Sequence, residues 1–252
     1  MLYGKTRIII CQDNADLGRR SAMLVAAKLR EISAQKKVVR AVFAAGESQS
    51  SFLTALSLET GIPWNRIDCF NIDDFWDTRM PREFTCGFQT SIQLYDKVNP
   101  RSVNLVKYNT SDPEAEIQRF SNLIREQPID VLSQGIGTSG HLALNEPEIS
   151  NFNDPMWVRL VDVADQSKRQ LREDPNFKAL GYIPDKGITL TIPAILSAMH
   201  CITIVPLALK KPILTMLAKL REPIKELPAS VLLQKDGDLF VDNDSCPDEW
   251  RI

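Results

Sequence analysis

His141 and Glu146 stand five residues apart, after a run with three glycines in six positions, Gly135, Gly137 and Gly140. Histidine is the side chain whose unperturbed pKa falls near physiological pH. A carboxylate bonded to one ring nitrogen fixes the tautomer and leaves the other nitrogen to act as base or acid. The glycines follow the apolar stretch Ile129–Leu132, and they let backbone approach a ligand closely because they carry no Cβ and accept positive φ. A tight turn holding a structural histidine is the plainer alternative. Strand exit, His141, Asn145 and Glu146 together favour a functional site.

A second pair, Asp73 and Asp74, closes the apolar run Ile67–Ile72 and precedes Phe75 and Trp76. Adjacent carboxylates in a partly apolar setting repel one another and lose solvation, which raises their pKa values. That suits a general base removing a proton from carbon next to a carbonyl or iminium, although a bare pair of aspartates also reads as a solvated strand end. The third feature is Ala44-Ala45-Gly46-Glu47-Ser48-Gln49, a junction from strand to helix. Free N–H groups and the helix dipole make such a junction an anion site, with Gly46 and Ser48 contributing. A serine-capped helix is the alternative. Glu47 repels a dianion unless it turns away or binds a cationic group.

Apolar runs suited to buried strands recur at 7–11, 38–44, 67–72, 103–106, 129–132, 158–163, 188–190, 201–205 and 231–233. Several are continuous rather than alternating, as in strands covered on both faces. Helical patterns lie between them at 15–33, 50–60, 84–97, 112–126, 192–198 and 210–220, and Asp112-Pro113 supplies a cap and a first-turn proline. This alternation predicts an α/β fold, a doubly wound and mostly parallel sheet with helices on both faces. No repeat or interdomain linker interrupts it, so residues 1–252 are expected to form one domain. Ligands of such folds bind beyond the carboxyl ends of the strands, where the singled-out motifs would meet.

The stretch Gly135-Ile136-Gly137-Thr138-Ser139-Gly140-His141-Leu142-Ala143-Leu144-Asn145-Glu146-Pro147 resembles the glucosamine-6-phosphate deaminase/isomerase family, whose motif reads G-[IV]-G-x-D-G-H-[IL]-A-[FL]-N-E-P. Related 6-phosphogluconolactonases share its G-x-D-G-H core and normally lack the N-E-P ending. Phe70-Asn71-Ile72-Asp73-Asp74-Phe75 is similar to the family's F-N-M-D-E-[YW], and Ala45–Gln49 occupies the place of its phosphate loop. The resemblance covers about residues 38–242. It implies a Rossmann-like fold of the deaminase type. It also implies that Asp73 moves a proton between sugar C2 and C1, that Asp74 positions, and that His141 with Glu146 opens the pyranose ring. Lys210 falls near the family's phosphate-binding lysine. Arg172 is the best match to its arginine, with Arg169 close behind. Asp74, Gly46, Glu47, Ser48 and Gly137 complete the expected substrate contacts. Ser139 replaces an aspartate that works with the histidine; it can hydrogen-bond but supplies no charge.

The expected activity is therefore aldose–ketose isomerisation of an amino-sugar phosphate with loss of ammonia. Hydrolysis of a sugar-phosphate lactone and non-catalytic sensing of a sugar phosphate are the alternatives. No metal or other cofactor is suggested. The net charge of −2 gives no reason to expect nucleic-acid or membrane partners. Five dispersed cysteines without a CxxC pair, and no long apolar run, fit a soluble cytoplasmic protein. A homo-oligomer is compatible with all of this.

Overall fold

In a computed structural model the described residues are 1–173 and 175–251. Strands β1 (Leu2–Tyr3), β2 (Thr6–Cys11), β3 (Val39–Phe43), β4 (Ile67–Asn71), β5 (Asp73–Trp76), β6 (Ser102–Asn104), β7 (Val131–Gln134), β8 (Val158–Asp162), β9 (Lys186–Leu190), β10 (His200–Val205) and β11 (Gly237–Asp242) form two sheets. The larger runs β1-β2-β11-β10-β7-β3-β4-β6 and is parallel except where β1 joins its edge. The chain passes from β3 outward through β4 and β6, then returns to place β7 on the other side of β3. The order therefore reverses between β3 and β7, where the carboxyl ends of the strands open a crevice.

The apolar strands are covered on both faces. Helices Asn14–Gln35 and Glu47–Leu58 bury Leu17, Val25, Leu29, Phe52, Leu53 and Leu56 against one side of the sheet, with Ala41, Phe43 and Ile204. Helices Pro113–Arg125 and Lys211–Lys219 bury Ile117, Phe120, Leu214 and Leu217 against the other, with Val42, Leu132 and Val205. Asp112 caps the first of these two helices through Ala115 N–H at 3.0 Å, with Pro113 in the first turn.

Three expectations need correction. Val231–Leu233 is not a strand but lies in a 3-10 helix, Pro228–Gln234; the last strand is β11. A three-residue apolar run carries no period, so burial alone did not distinguish the two. The helix expected at 84–97 starts later and changes pitch: Thr85 caps it at Cys86 through Phe88 N–H, and between Cys86–Thr90 and Asp96–Val98 it runs as a π-helix, Ser91–Tyr95. Finally, β9, together with β5 and β8, belongs to a separate antiparallel sheet, β5-β9-β8. The chain leaves the main sheet at Ile72, whose carbonyl accepts from Leu190 N–H at 3.0 Å. Asp73 thus sits on the small sheet, above the carboxyl edge of the large one.

Candidate active site

A cavity of about 130 Å³ lies in the crevice, lined by Ala44, Ala45 and Ser48 after β3, Ile72 and Asp73 after β4, Gln134 at the end of β7 with Gly135, Ile136, Gly137, His141 and Ala143 beyond it, and Lys210 after β10. Four segments distant in sequence meet there because each leaves the same edge of the sheet.

The histidine loop folds back on itself. Gly137 N–H donates to His141 carbonyl at 3.0 Å, and Gly140 N–H to Gly137 carbonyl at 2.9 Å, with Gly140 at φ +85. A Cβ on Gly137 would lie 2.0 Å from His141 Cε1 and Nε2, so the imidazole rests directly on this glycine backbone. Asn145 secures the far side of the loop, donating to the carbonyls of Leu142 and Leu190 at 2.8 Å each.

His141 Nδ1 lies 2.9 Å from Glu146 Oε1, and the carboxylate can only accept, so Nδ1 carries the proton and Nε2 is left as a base. Ser139 Oγ donates to Glu146 Oε2 at 2.5 Å and lies 2.8 Å from Nδ1. Ser167 Oγ donates to Glu146 Oε1, also at 2.5 Å. Burial opposes the charge on Glu146. The hydrogen bond and charge of His141, with the two serine hydroxyls, outweigh it and hold the carboxyl at about 2. The position where the family keeps an aspartate is thus occupied by a neutral donor that ties Glu146 down.

Burial pushes Asp73 up to about 6, with the His141 charge pulling the other way. Its neighbour is differently placed. Successive residues of a strand face opposite ways, and Asp74 turns from the cavity to accept N–H groups of Phe75, Cys86 and Gly87 at 2.9, 2.9 and 2.8 Å. Burial raises its pKa to about 7, against those backbone donors. Asp74 anchors the segment beginning at Cys86 and does not reach the ligand position expected of it.

Opposite the histidine, helix Glu47–Leu58 starts at Gly46, φ +98, with no side chain capping it. Its first N–H groups therefore remain for a ligand, as in anion sites, and a serine cap is excluded. Lys210, 8% exposed, lines the same cavity; burial lowers its pKa and the Glu47 charge raises it. Glu47 itself is exposed and outside the lining.

The expected arginine is elsewhere. Arg172 is exposed and lines a separate cavity with Lys168, Phe177 and Tyr182. Arg169 lines a third, behind Ser139 and Glu146. Helix Asp165–Glu173, which carries both, buries none of its side chains and presents its charges outward. Ser167 was not singled out from the sequence, because a serine between charged residues on a polar helix gives no signal. Among the described residues no His/Cys/Asp/Glu group is arranged to hold a metal ion, and no helix is long and apolar enough to cross a membrane.

Comparison with known proteins agrees with this fold. A glucosamine-6-phosphate deaminase of Streptococcus equi subsp. equi is 25% identical over 246 residues, covering 96% of this chain and 99% of the relative. One of Mycoplasmopsis pulmonis is 25% identical over 191 residues, 73% of this chain and 72% of its own. The fold superposes on a monomeric glucosamine-6-phosphate deaminase with TM-score 0.82 at 21% identity, covering 95% of this chain and 98% of that one. It also matches a 6-phosphogluconolactonase from Thermotoga maritima with TM-score 0.76 at 19% identity, covering 94% and 99%. The family model for glucosamine-6-phosphate isomerases/6-phosphogluconolactonase matches residues 12–241, and the chain belongs to that family.

Proposed function

We propose that this protein deaminates an amino-sugar phosphate, converting the aldose to a ketose and releasing ammonia. The observation that carries this reading is one cavity lined by a carboxylate suited to carbon-acid chemistry, Asp73, a tautomer-fixed histidine, His141, and Lys210 with Ser48, in the first turn of a helix that no side chain caps. The phosphate would sit on the helix N–H groups, Ser48 and Lys210. His141 Nε2 takes the proton of the ring hydroxyl at C1 and returns it to the ring oxygen, opening the sugar. Asp73 then removes the C2 proton and delivers it to C1 while a proton given up by the amine ends on O1, and water adds to the resulting C2 imine as ammonia leaves. Lactone hydrolysis needs only a histidine-activated water and would leave the raised Asp73 carboxyl without a task. The whole chain acts as one catalytic unit in this reading.

The test is ammonia release from glucosamine-, galactosamine- and mannosamine-6-phosphate, with 6-phosphogluconolactone run in parallel. Lactone cleavage without ammonia release from any amino sugar would overturn the reading.

Two further results follow. Asp73 works deprotonated, and its pKa is raised to about 6. kcat/KM should therefore level off above pH 6 and fall about tenfold per unit below it. A limb centred near the ordinary carboxylate value would assign the base elsewhere. Lys210→Ala removes a charge-assisted contact and should weaken inorganic phosphate or sugar-phosphate binding by about tenfold or more. Calorimetry on the folded variant checks this, and unchanged affinity would remove Lys210 from the anion site.

A further inference from the structure

Helix Asp165–Glu173 buries no side chain, so polar contacts connect its face to the histidine loop. Gln166 Nε2 donates to Thr138 Oγ1 at 3.2 Å, and Thr138 Oγ1 reaches Gln170 Oε1 at 3.5 Å. Both are long contacts at a half-buried threonine. Ser167 is different, for its 2.5 Å bond ends on Glu146 Oε1, the same oxygen that faces His141 Nδ1. Glu146 is 3% exposed. Its carboxylate therefore has three side-chain donors: His141 and Ser167 on Oε1, and Ser139 on Oε2.

We propose that Ser167 is a positioning residue, which holds the Glu146 carboxylate in the plane that keeps the His141 proton on Nδ1 and Nε2 free. Without Ser167, Oε1 is held by the imidazole alone, and rotation about the last single bond of Glu146 takes it off the ring. Ser139 grips Oε2, and Ser167 grips Oε1 from a different element. The two hydroxyls together fix the plane. Because Ser139 lies in the same loop as His141, it moves with that loop; Ser167 alone ties the carboxylate to the helix across the cleft. The charged groups around the pair do not duplicate this. Asp73 and Lys210 face His141 across the cavity, and Asp165, Lys168 and Arg169 line the space behind Glu146. Of these, the cations could attract the carboxylate, but none makes a direct bond to it among the described residues.

The kinetic arm of the test rests on the deaminase reading; the spectroscopic arm does not. Ser167→Ala suits a helix, where alanine is well tolerated, so the fold should persist. With ¹⁵N-labelled histidine, the wild-type His141 ring should show one protonated and one bare nitrogen. Ser167→Ala should draw the two signals together as the tautomers exchange, and Ser167→Thr, which keeps the hydroxyl, should restore them. His200 serves as the internal control. In ammonia release, kcat should fall about tenfold for alanine with KM within about twofold, since Ser167 does not line the substrate cavity, and threonine should recover most of it. An unchanged His141 spectrum in Ser167→Ala overturns the proposal. So does a defect that threonine fails to rescue, which would mark Ser167 as packing for the helix. If the wild type releases no ammonia, the deaminase reading fails while the nitrogen spectra still decide the role of Ser167.

Discussion

Asp73→Asn is expected to lower ammonia release by about a thousandfold, within the range lost when a positioned general base is removed. The amide is nearly isosteric and fills the same place on β5, so the cavity and its anion end should stand, and KM should change little. What disappears is the ability to accept a proton from C2. The decisive measurement is incorporation of solvent deuterium at C1 and C2 during turnover, alongside ammonia release. Wild-type exchange in the variant would move the base to another residue. The neighbour provides the contrast: Asp74 faces the N–H groups of Phe75, Cys86 and Gly87 rather than the cavity. Asp74→Asn should therefore show itself first in thermal stability, with the C2 exchange mechanism intact in the protein that remains folded.

Gly137→Ala should cost at least about a hundredfold in kcat, because a displacement of about 1 Å at a reacting group has that effect. The added methyl would sit 2.0 Å from His141 Cε1 and Nε2, a distance that no packing tolerates. The ring must swing away, and it takes with it the Nδ1 contact to Glu146. Gly137 has no positive φ, so the loss is one of space for the imidazole and not of backbone freedom. Kinetics with the melting temperature measured in parallel separate the two causes. Near-normal kcat in a folded variant would show that His141 need not occupy this position. By contrast, Gly46 has φ +98 and open space beyond it, so substitution there strains the backbone of the anion site without a clash.

The mostly parallel α/β architecture was legible because continuous apolar runs and intervening helical periods do not depend on contacts far along the chain. The same holds for the cap at Asp112 and for the loop carrying His141, whose glycines and polar residues are adjacent in sequence. The site came into view as three separate motifs at strand ends, and a common sheet edge is what a parallel topology offers such motifs.

Other features depended on distance and direction. Asp73 and Asp74 look equivalent in sequence, and the pleat of β5 sends one to the cavity and the other to a backbone anchor. Arg169 and Arg172 look like phosphate ligands by position, yet the helix that bears them turns both outward. Val231–Leu233 is apolar enough for a strand, and only the parallel pairing of β11 with β10 and β2 shows that the strand begins later, at Gly237. Ser139 read as a missing charge; the fold makes it a donor to the carboxylate that remains. Ser167 carried no signal at all, because its role exists only where helix Asp165–Glu173 meets a loop some twenty residues earlier. Residue type and local period determined the elements and the chemistry available at their ends. The direction each side chain faces, and the partner it finds across the crevice, were decided by tertiary packing, since both depend on contacts between segments that the local pattern does not encode.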